Sequence, residues 1–85
     1  MRTFFESTTN HNVPKDVFLI AEDSRMSGEI VTTFYADKEG NMWEVGDWKY
    51  DKPQPLTMSR LYKATMLSPK MVTCMYNRWR ENDIL

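Results

Sequence analysis

The sequence predicts an α+β fold, with an N-terminal β-hairpin or three-stranded antiparallel meander followed by two C-terminal helices. Three observations support this prediction. Residues 29–35 are rich in the β-branched and aromatic side chains that favour strands. Residues 37–41 are turn formers, and a second short apolar segment follows them. From residue 57 onward, apolar residues recur at helical spacing behind two capping residues.

The length and composition limit the class of protein. Eighty-five residues are enough for one small domain, 1–85, and leave no room for a second core. The apolar fraction of 41% and the aromatic fraction of 13% suit a folded globular chain. The longest apolar run, Val17–Ala21, is far shorter than the roughly 20 residues of a membrane span. No apolar stretch of a signal peptide follows Met1–Glu6, so we expect a cytoplasmic protein without a membrane partner.

The first half of the chain is acidic and predicted to be rich in β-structure between residues 14 and 50. Residues 1–13 are polar after Phe4 and Phe5 and predict a flexible arm. The apolar run Asp16–Ala21 predicts a buried strand. A helix between Pro14 and Gly28 is the alternative, because periodicity cannot separate a strand from a helix in so short a run.

The predicted hairpin joins Glu29–Tyr35 to Met42–Val45 through a loop at 37–41. Gly40 supplies the left-handed conformation that such a loop requires. Successive strand residues point to opposite faces. Trp43 and Val45 are therefore expected on one face of the hairpin, and Met42 and Glu44 on the other.

Two helices are predicted within the basic half, 56–82, after a stiff connector at Asp51–Pro55. The first helix runs from Leu56 to Thr65 with Thr57 as its N-cap, and Met58, Leu61 and Thr65 share one stripe. The second helix begins at Pro69, has Ser68 as its N-cap and runs to about Asn82.

Charge is divided along the chain, although the net charge is −1. Residues 1–51 carry ten acidic and five basic side chains, whereas residues 52–80 carry six basic side chains and no acidic one; Glu81 and Asp83 supply the last two acids. Such a division indicates either a polyanionic partner for the basic half or a contact between the two halves.

On a helical wheel, one side of the second helix is apolar, and the opposite side carries Lys70, Cys74, Asn77 and Glu81, flanked by Thr73, Arg78 and Arg80. Val72, Met75, Tyr76 and Trp79 form the apolar stripe. Away from that stripe lie two short polar side chains that could read base edges and three cations that could neutralise phosphates. These residues are Thr73, Asn77, Lys70, Arg78 and Arg80.

Residues 61–72 (LYKATMLSPKMV) resemble the phrase L-A-x-A-T-G-L-S-P-x-T-V of bacterial helix-turn-helix regulators. The resemblance covers residues 56–82. Leu61, Leu67, Val72 and Met75 match apolar positions that lock the two helices together, and Ser68 matches the second-helix cap. Two positions depart from the pattern. Tyr62 replaces a small residue, usually Ala, and Met66 replaces the Gly that is usual at the turn.

The resemblance implies a small DNA-binding transcriptional regulator whose second helix enters the major groove of duplex DNA. It implies that Pro69, Lys70, Thr73, Cys74 and Asn77 face DNA, with Arg78 and Arg80 near the backbone. Arg60 and Lys63 on the first helix are further candidate contacts. Winged-helix-like packing of the hairpin against the helices would fit this class, and by analogy such a small regulator is expected to act as a homodimer.

The alternative prediction is a non-enzymatic protein–protein interaction module, such as a small inhibitor or adaptor of phage or prophage type. Its surface would be aromatic and acidic, and its partner would be a host protein. Trp48, Tyr50 and Trp43 are the candidate contacts, because Trp and Tyr are frequent in interface hot spots.

Catalysis, a metal site and a cofactor are not expected. His11 lacks Cys or His neighbours at metal-ligand spacing, and Cys74 has neither a nearby base nor a disulfide partner. Glu22–Asp23 and the pair Asp37 and Glu39 fall at predicted loops, where carboxylates are usually solvated. The three glycines form no phosphate-binding loop.

Overall fold

The computed structural model describes residues 1–27 and 29–84, with side chains described as far as Asn82. It confirms the α+β prediction: an antiparallel five-stranded sheet of order β1-β2-β3-β4-β5 precedes two C-terminal helices. The elements are β1 (Arg2–Phe5), β2 (Phe18–Ser24), β3 (Ile30–Ala36), β4 (Met42–Gly46), β5 (Gln54–Pro55), α1 (Met58–Thr65) and α2 (Pro69–Ile84).

Residues 14–26, for which the sequence left both a strand and a helix open, contain the strand β2, so the helical alternative is wrong. β2 pairs with β1 on one side and with β3 on the other. Its alternate side chains enter two different apolar clusters, with Phe18 and Ile20 on one face and Leu19 on the other. A strand that is buried on both faces has apolar residues at consecutive positions. This is why the run lacks the alternation of apolar and polar residues that would have distinguished a strand from a helix.

The predicted hairpin is confirmed as β3 and β4, with Tyr35 opposite Trp43 and Thr33 opposite Val45. Gly40 has φ 87°, the left-handed conformation expected for the loop. Trp43 and Val45 lie on one face of the sheet, and Met42 lies on the other, as predicted.

Both helices pack on the same face of the sheet. The buried part of this core contains residues of β2 and β3, Leu56 just before α1, Leu61 of α1 and Val72 of α2. Its members are Phe18, Ile20, Ala21, Phe34, Ala36, Leu56, Leu61 and Val72. The helices are therefore held by apolar contact with the sheet, which leaves their outer sides to solvent.

The opposite face of the sheet is covered by the chain between β1 and β2. Asn10 is only 4% exposed, and its Nδ2 donates to the Thr33 hydroxyl at 3.2 Å and to the Gly46 carbonyl at 3.2 Å. Val13 packs against the small cluster on this face. Residues 1–13 thus form an edge strand and a hydrogen-bonded cover rather than the predicted flexible arm, because a buried amide anchors them.

The connector before the helices also differs from the prediction. Its last two residues form β5, in which Gln54 lies opposite Glu44. The next backbone N–H, that of Leu56, donates to the Met42 carbonyl at 2.9 Å. The end of the connector is therefore an edge strand of the sheet, and α1 begins three residues after it, at Met58.

The helix limits follow the capping residues. The Thr57 hydroxyl accepts from the Arg60 N–H at 3.1 Å at the start of α1, and α2 begins at Pro69. In the part of the chain that the structure describes, neither helix is long and apolar enough to cross a bilayer.

Candidate nucleic-acid interface

The apolar stripe of α2 faces the sheet, and its polar side faces solvent. Val72 is buried, and the Tyr76 and Trp79 rings each lie 5.8 Å from the Phe18 ring, centroid to centroid. The side chains predicted to contact DNA from this helix are all exposed: Lys70, Thr73, Asn77, Arg78 and Arg80. Pro69 and Cys74 are also exposed. The predicted orientation of α2 is therefore correct.

The C-terminal half of α2 is tied to the β3–β4 loop. The Tyr76 hydroxyl donates to the Asp37 carbonyl at 2.6 Å, and Arg80 Nη1 donates to the Lys38 carbonyl. These two contacts fix the position of α2 along the sheet. Arg80 already has a protein partner, so it differs from the other cations of this helix.

The two cations predicted on α1 have different surroundings. The Arg60 guanidinium pairs with Glu44 of β4, with 3.4 Å between Nε and Oε2. Lys63 is exposed in the last turn of α1. Among the described residues, Lys63, Lys70 and Arg78 have no carboxylate within ion-pair distance. The acidic half therefore does not cover the basic outer side of the helices.

The exposed side of α2 has a crest and two flanks. Lys70 and Asn77 are two helical turns apart and lie close to the crest. Arg78 lines a groove on the β1 side together with Phe4. Thr73 and Asn77 line the groove on the other side, toward Met42. The cations Lys70 and Arg78 and the short polar side chains Thr73 and Asn77 thus share the exposed side of α2, with Arg78 on the flank toward β1 and Thr73 on the flank toward Met42.

The two departures from the helix-turn-helix pattern are accommodated locally. Tyr62 is 44% exposed and turns away from the core, so its size does not force the helices apart. Met66 adopts φ 60°, the left-handed conformation for which glycine is usual, and its N–H donates to the Tyr62 carbonyl at 2.7 Å. A turn of three residues therefore connects the two helices.

The three aromatic residues predicted for a protein interface do not lie together. Trp48 and Tyr50 are 60% and 72% exposed, and their ring centroids are 6.3 Å apart. Trp43 is half-buried against the cluster of Tyr35 and Val45, and its Nε1 donates to Asp37 Oδ2 at 3.0 Å. Trp43 therefore packs against this cluster and does not belong to the exposed pair of Trp48 and Tyr50.

Asp37 organises the loop beside α2, a role that the sequence analysis missed. Its Oδ1 accepts from the backbone N–H groups of Glu39 and Asn41 at 3.0 and 2.9 Å. Partial burial acts to raise the pKa of Asp37, but the hydrogen bonds from Trp43, Asn41 and Glu39 outweigh it and lower the pKa. An Asp that precedes a Gly-containing loop is a recognisable Asx-turn signal, so this role was accessible from sequence.

Within the described ranges, no group of three or more His, Cys, Asp or Glu side chains is arranged to hold a metal ion. His11 is exposed in the cover between β1 and β2, and Cys74 is an exposed free thiol.

Comparisons with protein-family models, with curated proteins and with solved structures found no match to this chain.

Proposed function

We propose that this protein is a small, non-enzymatic DNA-binding regulator that inserts α2 into the major groove. The observation that carries the proposal is the exposed outer side of the two helices, where residues 52–80 contribute cations and no carboxylate, and Glu81 follows as an exposed carboxylate near the end of α2. Phosphates supply most of the affinity in such a complex. A regulator of this kind would act in the cytoplasm on duplex DNA.

The proposal assigns different tasks to different side chains. Lys63, Lys70 and Arg78 neutralise phosphates, because they are exposed and unpaired with any described carboxylate. Thr73 and Asn77 reach base edges, because both are short polar side chains on the exposed side of α2.

Arg60 and Arg80 have secondary tasks. Each is already engaged by the protein, Arg60 by Glu44 and Arg80 by the Lys38 carbonyl. Their remaining N–H groups could approach a phosphate only at the margins of the interface.

The test is a fluorescence-anisotropy titration of labelled duplexes at several salt concentrations. The double variant Lys70→Ala/Arg78→Ala should weaken binding and reduce the slope of log K against log salt by about 0.9 for each lost phosphate contact. The matched control is Lys15→Ala/Arg25→Ala, which removes two exposed cations from the acidic half. Equal losses in both variants, or no binding to any duplex at low salt, would refute the proposal.

A second candidate function is the protein–protein interaction module of phage or prophage type. The exposure of Trp48 and Tyr50 favours it, because two large aromatic side chains in solvent are typical of interface anchors. Its test is retention of a host protein by the immobilised chain. Retention should be lost on Trp48→Ala and kept on Tyr62→Ala, an exposed aromatic residue in α1.

A further inference from the structure

The loop after β4 carries two exposed aromatic rings, those of Trp48 and Tyr50, and its backbone is held by hydrogen bonds. Asn12 Nδ2 donates to the carbonyls of Gly46 and Trp48 at 2.9 and 2.7 Å. The Asp51 N–H donates to the Trp48 carbonyl at 2.9 Å, and Asp51 Oδ2 accepts from the Trp48 N–H at 3.1 Å. Because the backbone is already ordered, the exposed rings of Trp48 and Tyr50 would lose little conformational entropy on binding.

A complementary apolar feature follows in the same segment. Pro53, Gln54 and Pro55 are exposed, and the last two form the edge strand β5. Extended proline segments are recognised by pairs of aromatic rings. Proline also lacks a backbone N–H, so this edge is poorly suited to continuing the sheet.

Charges in this segment alternate in sign. Asp47, Lys49, Asp51 and Lys52 are all exposed, and they are the only charged residues of the surface patch formed by residues 47–55. The patch therefore has no net charge. A duplex or a strongly charged partner gains little from such a surface. A two-fold contact pairs a surface with itself, and with the two segments antiparallel the order of these charges sets Asp47 of one copy opposite Lys52 of the other.

We propose that residues 47–55 form a two-fold contact between copies of this chain. Trp48 and Tyr50 of each copy receive Pro53 and Pro55 of the other, and Asp47 pairs with Lys52 across the axis. Within each copy, Asp51 holds the Trp48 N–H, and Lys49 Nζ lies 4.9 Å from the centroid of the Tyr50 ring. The patch contains none of the residues assigned to DNA, so the inference goes beyond the proposed function and does not depend on it.

The test measures self-association without DNA, by sedimentation equilibrium from micromolar to millimolar concentration. The wild-type chain should form dimers. Trp48→Ala and Pro53→Ala/Pro55→Ala should each raise the dimer dissociation constant by about tenfold or more, the effect expected of a hot spot. Met26→Ala and Tyr62→Ala change exposed apolar residues elsewhere and should leave the dimer intact.

A mixture of the two variants provides a sharper criterion. Each variant alone lacks one side of both contacts, whereas a heterodimer of the two restores one complete aromatic–proline contact. The mixture should therefore associate more tightly than either variant alone. A monomeric wild-type chain, a dimer insensitive to both variants, or a mixture no tighter than its components would overturn the proposal. Capture of a host protein through Trp48 by a monomeric chain would assign the surface to that partner.

Discussion

The Tyr76 hydroxyl and the Asp37 carbonyl are joined by a 2.6 Å hydrogen bond that connects α2 to the β3–β4 loop. The bond spans 39 residues of sequence and lies beside the packing of Tyr76 on Phe18. The Tyr76 ring thus packs in the core, while its hydroxyl hydrogen-bonds to the β3–β4 loop. This contact sets where the exposed side of the helix stands relative to the sheet.

Replacing Tyr76 by Phe should lower the free energy of unfolding by about 1 kcal/mol, the net value of one hydrogen bond. The ring contacts remain, so the loss reports the hydroxyl alone. Urea denaturation measures the change. Tyr62→Phe is the control, because that side chain is exposed and should shift stability by less than about 0.5 kcal/mol. Equal effects from both variants would contradict a stabilising role for the hydrogen bond between Tyr76 and Asp37.

Asp37 should make stability depend on pH in the acidic range. Its pKa is lowered in the folded chain, so its contribution is complete above the unfolded pKa of about 4 and is lost as pH falls through the folded value. Asp37→Asn should reduce stability at neutral pH, because an amide cannot accept from Trp43 Nε1 while keeping both backbone contacts. It should also flatten the dependence below about pH 4. Denaturation midpoints from pH 2 to 7 test this, and an unchanged acid slope would contradict it.

Asn10→Ala should cost about 1–3 kcal/mol, because it removes the buried amide that holds the cover and leaves the Thr33 hydroxyl without this donor. Thr9→Ala, at the neighbouring exposed position, is the control. Hydrogen exchange should show faster opening of residues 6–17 in Asn10→Ala while α2 keeps its protection. An unchanged cover would mean that Val13 and its neighbours suffice to hold it.

Met66→Gly should raise stability by about 0.5 kcal/mol. The left-handed conformation costs an L-residue about 1–2 kcal/mol, and the extra chain entropy of glycine cancels part of the gain. Little packing is lost, because Met66 is 69% exposed. Thermal denaturation measures the change, with Met71→Gly as an unfavourable counterpart inside α2. Destabilisation by Met66→Gly would indicate that the Met66 side chain has a packing role.

Under the DNA-binding proposal, Asn77→Ala should reduce discrimination between preferred and altered duplexes by about 1–3 kcal/mol. The salt slope should stay constant, because no phosphate contact is lost. Lys63→Ala should do the reverse, weakening all duplexes to a similar extent and lowering the slope. Parallel titrations of both variants separate base contacts from backbone contacts. If Asn77→Ala weakens all duplexes equally, Asn77 has no part in reading sequence.

Local signals were sufficient for much of this fold. The β-branched run before Gly40 and the short strand after it predicted the hairpin, because turn chemistry and strand composition act over a few residues. Thr57 and Ser68 marked both helix starts, since capping is also a local interaction. The apolar spacing of α2 predicted which side would face the core, and the burial of Val72 agrees.

The remaining features depended on contacts between distant residues. Nothing near Asn10 in sequence indicates that its amide meets Thr33 and Gly46, so the first segment was predicted to be free. Trp43 and Trp48 are chemically alike, yet Trp43 is half-buried because it lies in β4 against Tyr35 and Val45, whereas Trp48 lies in the loop after that strand and is exposed.

The sequence by itself determined that the β3–β4 hairpin precedes two helices, where those helices begin, and which side of α2 faces the core, because propensity, turn chemistry and periodicity are encoded over short spans. Only the tertiary structure decided which cations of the two helices are engaged by other residues of the chain and which are not. Arg60 meets Glu44 and Arg80 meets the Lys38 carbonyl, across 16 and 42 residues of chain, whereas Lys63, Lys70 and Arg78 remain at the surface. The physical reason is that side-chain pairing depends on how the layers pack, and packing brings together residues that the sequence keeps far apart.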